Sequence, residues 1–274
     1  MTMKKTLISA LTLVAVGAPL TTYAATVPSV SNIEHIISSD LMKQEAAITV
    51  TEQTTSHAEA VKLFNAASWL NMMNIVTTRT EGALVVPLSK TTSEVTYYVW
   101  YRETQVQQKA VTVGVKRVLK RIIKPGMDVY AKEFAINNYV VSHVRYDNSL
   151  TLATAYDALF KHDAVCNGYA WLTYDMLNAA GIPNRIITGT GFYRNQSGFH
   201  AWNEVDLNSK WYMLDTTWNS SIKHYNWYNL TSSQLAKSHT WNHAGLPIAN
   251  TNFMSVLQRS RTKQDQTILK VIQG

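Results

Sequence analysis

The sequence predicts an α+β fold in which a helix beginning at Cys166 sets its N-terminus on an antiparallel pair of strands carrying His200 and Asp215. Three observations predict it. A helical spacing of apolar residues starts at Cys166, the only cysteine in 274 residues, and stops at Gly181-Ile182-Pro183, where a capping glycine and a following proline end a helix sharply. Two strand-like runs follow, His200-Ala201-Trp202-Asn203-Glu204-Val205 and Lys210 to Leu214, with Asn208-Ser209 as the turn between them. His200 and Asp215 stand fifteen residues apart across that hairpin, which brings them side by side.

The elements follow in chain order. Met1 to about Ala24 reads as an export signal: Lys4 and Lys5 charge its start, Leu7 to Val16 form the apolar stretch, and Thr22-Tyr23-Ala24 make a small-residue cleavage site. That stretch is shorter than the ~18–20 apolar residues a membrane helix needs, so no membrane span and a released, secreted protein are expected. From Ile33 to Ile75 the pattern is helical. Ile33, Ile36, Ile37 and Leu41 share one face; Ala60, Val61, Phe64, Ala67, Trp69, Leu70 and Met73 form another band, with Ser56 and Glu59 as a capping box ahead of it. Between Leu84 and Val113 the period switches to two, with Val95, Tyr97, Val99 and Tyr101 alternating with polar and aromatic neighbours, which predicts strand.

Lys116, Arg117, Lys120, Arg121 and Lys124 are spaced like one helix face, broken by Pro125-Gly126. A new helix starts at about Asp128, with Tyr130, Phe134, Ile136, Tyr139 and Val140 as its apolar face, and a short helix is expected over Thr154 to Phe160. Past Cys166, residues Ala170, Trp171, Tyr174, Leu177 and Asn178 continue at helical spacing, and Arg185-Ile186-Ile187-Thr188 reads as a strand. The last stretch, 246–274, reads as a polar tail with a final apolar turn at Ile268, Leu269, Val271 and Ile272.

The formal net charge of +7 falls by two when Lys4 and Lys5 leave with the signal. The basicity is modest and spread out, and its densest cluster reads as a solvated helix face. Aromatic stacking platforms are absent beside it, so nucleic acid is not an expected partner. One cysteine cannot pair within the chain, so the fold stands on its hydrophobic core. An odd cysteine in an exported chain also flags a reactive thiol.

A free cysteine is ordinarily a small buried hydrophobe. Two features argue otherwise here. The flanking Asn167-Gly168-Tyr169 is not an apolar run, and a helix N-terminus stabilises thiolate over thiol through its unpaired N–H groups and positive dipole end. Cys166, His200 and Asp215 are therefore the candidate catalytic residues: a thiolate to attack a carbonyl, an imidazole to move the proton, and a carboxylate to fix the imidazole's tautomer. The backbone N–H of Cys166 is the natural first oxyanion donor, and the second is left open. Asp147 and Asp157 compete with Asp215, but only Asp215 follows a strand paired with the histidine strand. His162 and Asp163 lie in the loop feeding the cysteine and read as solvated. His239 and His243 have a spacing that puts both imidazoles on one helix face, yet no third ligand stands beside them, so no metal and no cofactor is expected. Trp218, Tyr225, Trp227, Tyr228 and Trp241 read as core and loop packing, with the wall of an apolar groove as the functional alternative.

An ordered series of motifs resembles the transglutaminase-like superfamily, whose fold is related to papain. It runs through Lys124-Pro125-Gly126-Met127, Asn137-Asn138-Tyr139-Val140-Val141, Val144-Arg145-Tyr146-Asp147, Val165-Cys166-Asn167-Gly168-Tyr169-Ala170 and Ala179-Ala180-Gly181-Ile182-Pro183. It ends with His200-Ala201-Trp202-Asn203 and Trp211-Tyr212-Met213-Leu214-Asp215-Thr216-Thr217-Trp218. The resemblance implies Cys166 as nucleophile, His200 as base and Asp215 as orienting acid, in a bacterial secreted member. The expected organisation is a signal peptide at 1–24, an N-terminal extension at 25–115, a transglutaminase-like catalytic domain at 116–245 and a C-terminal tail at 246–274. The expected activity forms an acyl-enzyme thioester from a peptide or side-chain amide, resolved by an amine (crosslinking) or by water (amidase or peptidase). The expected partner is a protein or peptide substrate, cell-wall peptide included. The alternative is a catalytically silent cell-surface binding or structural protein.

Overall fold

The structure is a computed structural model and describes residues 30–68, 75–77, 83–222, 224–243 and 245–274. The expected export signal, and Trp69, Leu70 and Met73 of the second apolar band, lie outside the described residues.

The first part builds its own core. Helices α1 (Val30–Met42) and α2 (His57–Ser68) pack on a three-stranded antiparallel sheet of order β1-β4-β3, formed by Ala47–Glu52, Ser93–Tyr98 and Ala83–Pro87. Ile33, Ile37, Leu41, Ala60 and Phe64 from the helices meet Ile48, Val50, Val95, Tyr97 and Val99 from the strands. The strand β1 interrupts the expected helical run from Ile33 to Ile75, because Ala47-Ile48-Thr49-Val50-Thr51-Glu52 alternates in burial along its length. The capping box at α2 is half realised. Ser56 Oγ accepts from Glu59 N at 3.4 Å, but the Glu59 carboxylate turns to the Thr54 hydroxyl at 2.6 Å. A short pair, β2 (Ile75–Thr77) with β5 (Trp100–Tyr101), completes the strands of this part.

The strand period does not run on to Val113. Helix α3 (Gln105–Ile122) starts behind Thr104, which accepts from Gln107 N while the Gln107 side chain accepts from Thr104 N, a complete capping box. This local cap outweighs the β-branched Val106, Val111 and Val113. The boundary expected at 115/116 falls inside α3, whose Val111, Val115, Val118 and Leu119 all face the second core. Its basic face is exposed.

Helix α4 (Val129–His143) starts behind Asp128, whose carboxylate accepts from Ala131 N at 2.8 Å. Two short parallel strands, β6 (Arg145–Tyr146) and β7 (Asp163–Ala164), flank a π-helical turn at Asp157–Lys161, where a short helix was expected. They deliver the chain to α5 (Cys166–Ala179), which lies against the antiparallel sheet β10-β9-β8-β11. The strands β8 (Asn184–Tyr193), β9 (Gln196–Asp206) and β10 (Trp211–Leu214) run in sequence; β11 (His239–Trp241) arrives after α6 (Thr216–Ile222) and α7 (Ser232–Leu235) and adds to the other edge. Asn208 and Ser209 both adopt positive φ, 58° and 59°, the backbone a two-residue hairpin needs to match the twist of its strands.

Tyr169, Leu172, Met176 and Leu177 of α5 form the centre of the second core, with Ile136 and Val140 from α4 and Val205, Tyr212 and Leu214 from the sheet. The expected tail is part of this core. Residues 253–273 fold as α8 (Phe253–Arg259) and α9 (Lys263–Gln273), each started by a side-chain cap, Asn252 and Thr262, and they bury Phe253, Leu257, Ile268 and Leu269. Their apolar residues are few but correctly phased, so overall polarity hid them.

Candidate active site

Val165 precedes α5 in extended conformation and offers no side-chain cap. The first turn therefore keeps N–H groups for an acceptor other than its own cap, and Cys166 opens that turn, 7% exposed. Its neighbours are Ala170 on the same helix and Ala201 on β9. Close packing fixes this end of the helix, because Gly168 leaves no room for a side chain: a Cβ there would meet Ala164 Cβ at 2.6 Å and Thr154 O at 2.8 Å.

Alternation along β9 sends Ala201, Asn203 and Val205 toward the helices, where Asn203 Nδ2 donates to Ala170 O at 3.0 Å. His200, Trp202 and Glu204 take the other side. The hairpin register places Leu214 opposite Asn203, so Asp215 emerges at the end of β10 beside His200. His200 Nε2 lies 2.8 Å from Asp215 Oδ2, and the same imidazole interacts with the side chain of Cys166. The structure thus brings Cys166, His200 and Asp215 together.

Asp215 is fully buried, and three groups compensate its charge. Trp218 N donates to Oδ1 at 3.0 Å; His200 Nε2 and His239 Nε2 lie 2.8 and 3.3 Å from Oδ2. Burial pushes this carboxyl up, but the two imidazoles hold it well below the usual carboxylate range. Burial pushes His200 down, and the Asp215 carboxylate, with help from the Cys166 sulfur, overrides it and raises the imidazole to about 10. Aromatic rings close the site: Trp218 lies 5.2 Å from the His200 ring, Trp202 stacks on it at 6.0 Å, and Trp218 also meets Tyr193. Such a water-poor wall strengthens each charge interaction inside it.

The competing residues are bound elsewhere. Asp147 accepts from Ser149, Thr151 and Leu152, folding its own loop, and Asp157 accepts from Ala153 and Thr154. Asp163 pairs with Arg145. Of the aromatics, Trp218 reaches the site, while Tyr225 and Tyr228 pack on Phe134, and Trp227 and Trp241 sit in a small cluster behind the sheet.

His239 and His243 do not share a helix face. His239 is on strand β11, and its partner is Asp215. Thr240 and Trp241, both strand formers, carried the signal for strand here. The donor atoms of His200, Asp215 and His239 lie within 4.8 Å of one another, close enough for three ligands of one metal ion. The separations of 2.8 and 3.3 Å from one carboxylate oxygen are those of shared hydrogen bonds.

A cysteine at the start of a helix, set against a histidine and an aspartate on an antiparallel sheet, defines an α+β protein with a candidate thiol site. Residues 116–216 match the model of the transglutaminase-like superfamily. Kyphoscoliosis peptidase of Mus musculus is 25% identical over 134 residues, 44% of this chain and 20% of the relative. The Homo sapiens protein of the same name is 30% identical over 102 residues, 32% of this chain and 15% of the relative. The chain thus spans a fifth or less of the length of these curated relatives. The crystal structure of a TGase aligns at 14% identity over 62% of this chain and 50% of that one, with a TM-score of 0.37.

Proposed function

We propose that the protein is a thiol acyltransferase of the amide bond, acting after export, with Cys166 as nucleophile, His200 as proton carrier and Asp215 as the residue that orients His200. The observation that carries the reading is the burial of Cys166, His200 and Asp215 together, with His200 Nε2 2.8 Å from Asp215 Oδ2 and Cys166 interacting with the same imidazole. An imidazole beside the thiol, itself held by a buried carboxylate, is the base that can take the thiol proton.

The thiolate attacks the amide carbonyl carbon, and the oxyanion forms near the uncapped start of α5. The C–N bond then breaks, the His200 imidazolium gives its proton to the departing amine, and a thioester remains on Cys166. Water or a primary amine attacks that thioester, returns a proton to His200 and releases the thiolate. Water yields a carboxylic acid; an amine yields a new amide. The name of the curated relatives, a peptidase, favours water.

The test is incubation with a glutamine-containing protein plus a fluorescent primary amine, beside a peptidase assay on cell-wall peptides. Amine incorporation that disappears in Cys166→Ala identifies crosslinking; amide cleavage without incorporation identifies hydrolysis. If neither reaction occurs, and Cys166→Ala supports every phenotype of the parent, the enzyme reading is lost to a surface-binding role.

A further inference from the structure

We infer that His239 is a positioning residue of the site: it holds the Asp215 carboxylate in the orientation that presents Oδ2 to His200. A carboxylate with a single partner can turn about its Cβ–Cγ bond and offer either oxygen. Asp215 is tied at both. Trp218 N occupies Oδ1, and His239 Nε2 reaches Oδ2, 3.3 Å away, beside His200.

His239 is itself fixed. It is fully buried, and pairing of β11 with β8 sets it opposite Gly191, two residues along β8 from Gly189, the partner of His200. Its ring lies 4.3 Å from Trp218 and 4.9 Å from Trp202. Nδ1 is 2.9 Å from Ser238 Oγ, which also accepts from Trp227 Nε1 at 3.2 Å. An ionised carboxylate only accepts, so the Nε2 hydrogen of His239 points at Asp215. The titratable groups facing His239 are Asp215 and His200; Ser238, Trp202 and Trp218 carry no charge. A row of hydrogen-bonded groups therefore runs from Trp227 through Ser238, whose hydroxyl also lies 3.3 Å from Leu235 O, and His239 to the carboxylate that orients His200.

A ring that only filled space would tolerate phenylalanine, whereas a donor would not. The experiment compares the parent with His239→Phe, His239→Gln and Ser238→Ala, using Cys166→Ala and His200→Ala as references. Three quantities are read: kcat and KM on the amide substrate, the pH profile of Cys166 alkylation by iodoacetamide, and the low-field imidazole proton signals in NMR. His239→Phe is expected to lower kcat by about 10- to 100-fold, the loss typical when the partner that orients a metal-ligating histidine or carboxylate is removed. KM should stay within about twofold, since the substrate is not touched. Its alkylation profile and the His200 proton signal should both shift. His239→Gln, whose amide places a donor near the Nε2 position, should recover most of each, and Ser238→Ala should fall between.

The inference is overturned if folded His239→Phe keeps the parental kcat, alkylation profile and His200 signal. It is equally overturned if folded His239→Gln is as damaged as phenylalanine, since the donor would then be irrelevant. Should phenylalanine prevent folding, the glutamine and Ser238→Ala proteins carry the same comparison. The activity arm rests on the acyl-transfer reading, but alkylation and NMR do not. Activity unchanged in Cys166→Ala would sink that reading and leave the His239 question to the other two measurements.

Discussion

At His200 burial and charge oppose each other, and charge wins. The imidazole is raised to about 10 against an ordinary value of about 6.5. A cation whose folded value is raised contributes stability that is full below the unfolded value and is lost as pH rises through the folded one. The thermal stability gap between the parent and His200→Gln should therefore be widest near or below about pH 6.5 and close toward pH 10. Melting curves across that range check it, and a gap that widens with pH would contradict the ion pair. Asp215 runs the other way: held low, it contributes above the ordinary carboxylate range and loses that contribution in acid. On activity, Cys166→Ala is expected to abolish acyl transfer, because the chain has no second thiol. His200→Ala should be nearly as severe, and the two losses should not add. Asp215→Asn should cost less than the ~10⁴ in kcat known for the equivalent serine-triad change, since a thiol gives up its proton more readily than a serine hydroxyl and needs less help from the base. Steady-state rates on one substrate order the three. These residues were legible because each stands in its own short local pattern. His239 was not: its contact with Asp215 depends on β11 joining the sheet at its far edge, which no local spacing reveals.

Among the elements, those with a sharp start or stop in the sequence were read well. Helix α4 begins at its Asp128 cap, α5 ends at Gly181, whose φ is 75°, and the Asn208-Ser209 hairpin sets the register of β9 and β10. Strand β1 and helix α3 were misread because their β-branched and apolar residues fit more than one period; the Thr104–Gln107 cap decided α3. The approach of β11 to β8 depends on one residue. A Cβ at Gly189 would meet Thr240 O at 2.0 Å, a backbone atom that cannot step aside. Gly189→Ala should accordingly destabilise by about 1–3 kcal/mol, the range for forcing a methyl into a packed interior. It should also slow Cys166 alkylation, because displacing β11 withdraws His239 from Asp215. Urea titration and alkylation rates on the same sample check both. Unchanged alkylation at reduced stability would mean that the site does not depend on the position of β11.

The two largest hydrophobic cores among the described residues lie on either side of the passage from β5 into α3. Glu103, buried at that passage, accepts from Tyr156 N at 2.6 Å, while its carbonyl accepts from Gln44 Nε2 at 2.7 Å, so one residue ties the π-turn ahead of Cys166 to the N-terminal part. Composition announced neither this tie nor the closure of the second core by the last residues, because both rest on contacts between segments far apart in sequence. Gln264 reaches back to 126–128, donating to Gly126 O at 2.9 Å and accepting from Asp128 N at 3.3 Å. Phe253 lies edge-on to Tyr130, Tyr212 and Tyr228. A chain ending at Ser260 loses α9 and with it Ile268 and Leu269, each worth about 1.5–3 kcal/mol when buried. Against a typical total of about 5–15 kcal/mol, that loss should lower the melting temperature by many degrees. A chain ending at Asn250 also loses Phe253 and Leu257 and should have no cooperative second core at neutral pH. The N-terminal core touches neither helix through its buried cluster, so its own transition should persist in far-ultraviolet circular dichroism. Tryptophan fluorescence separates the two, because most tryptophans of the described residues belong to the second part. A Ser260-terminated chain that melts with the parent in both signals would show that 261–274 is, after all, a tail.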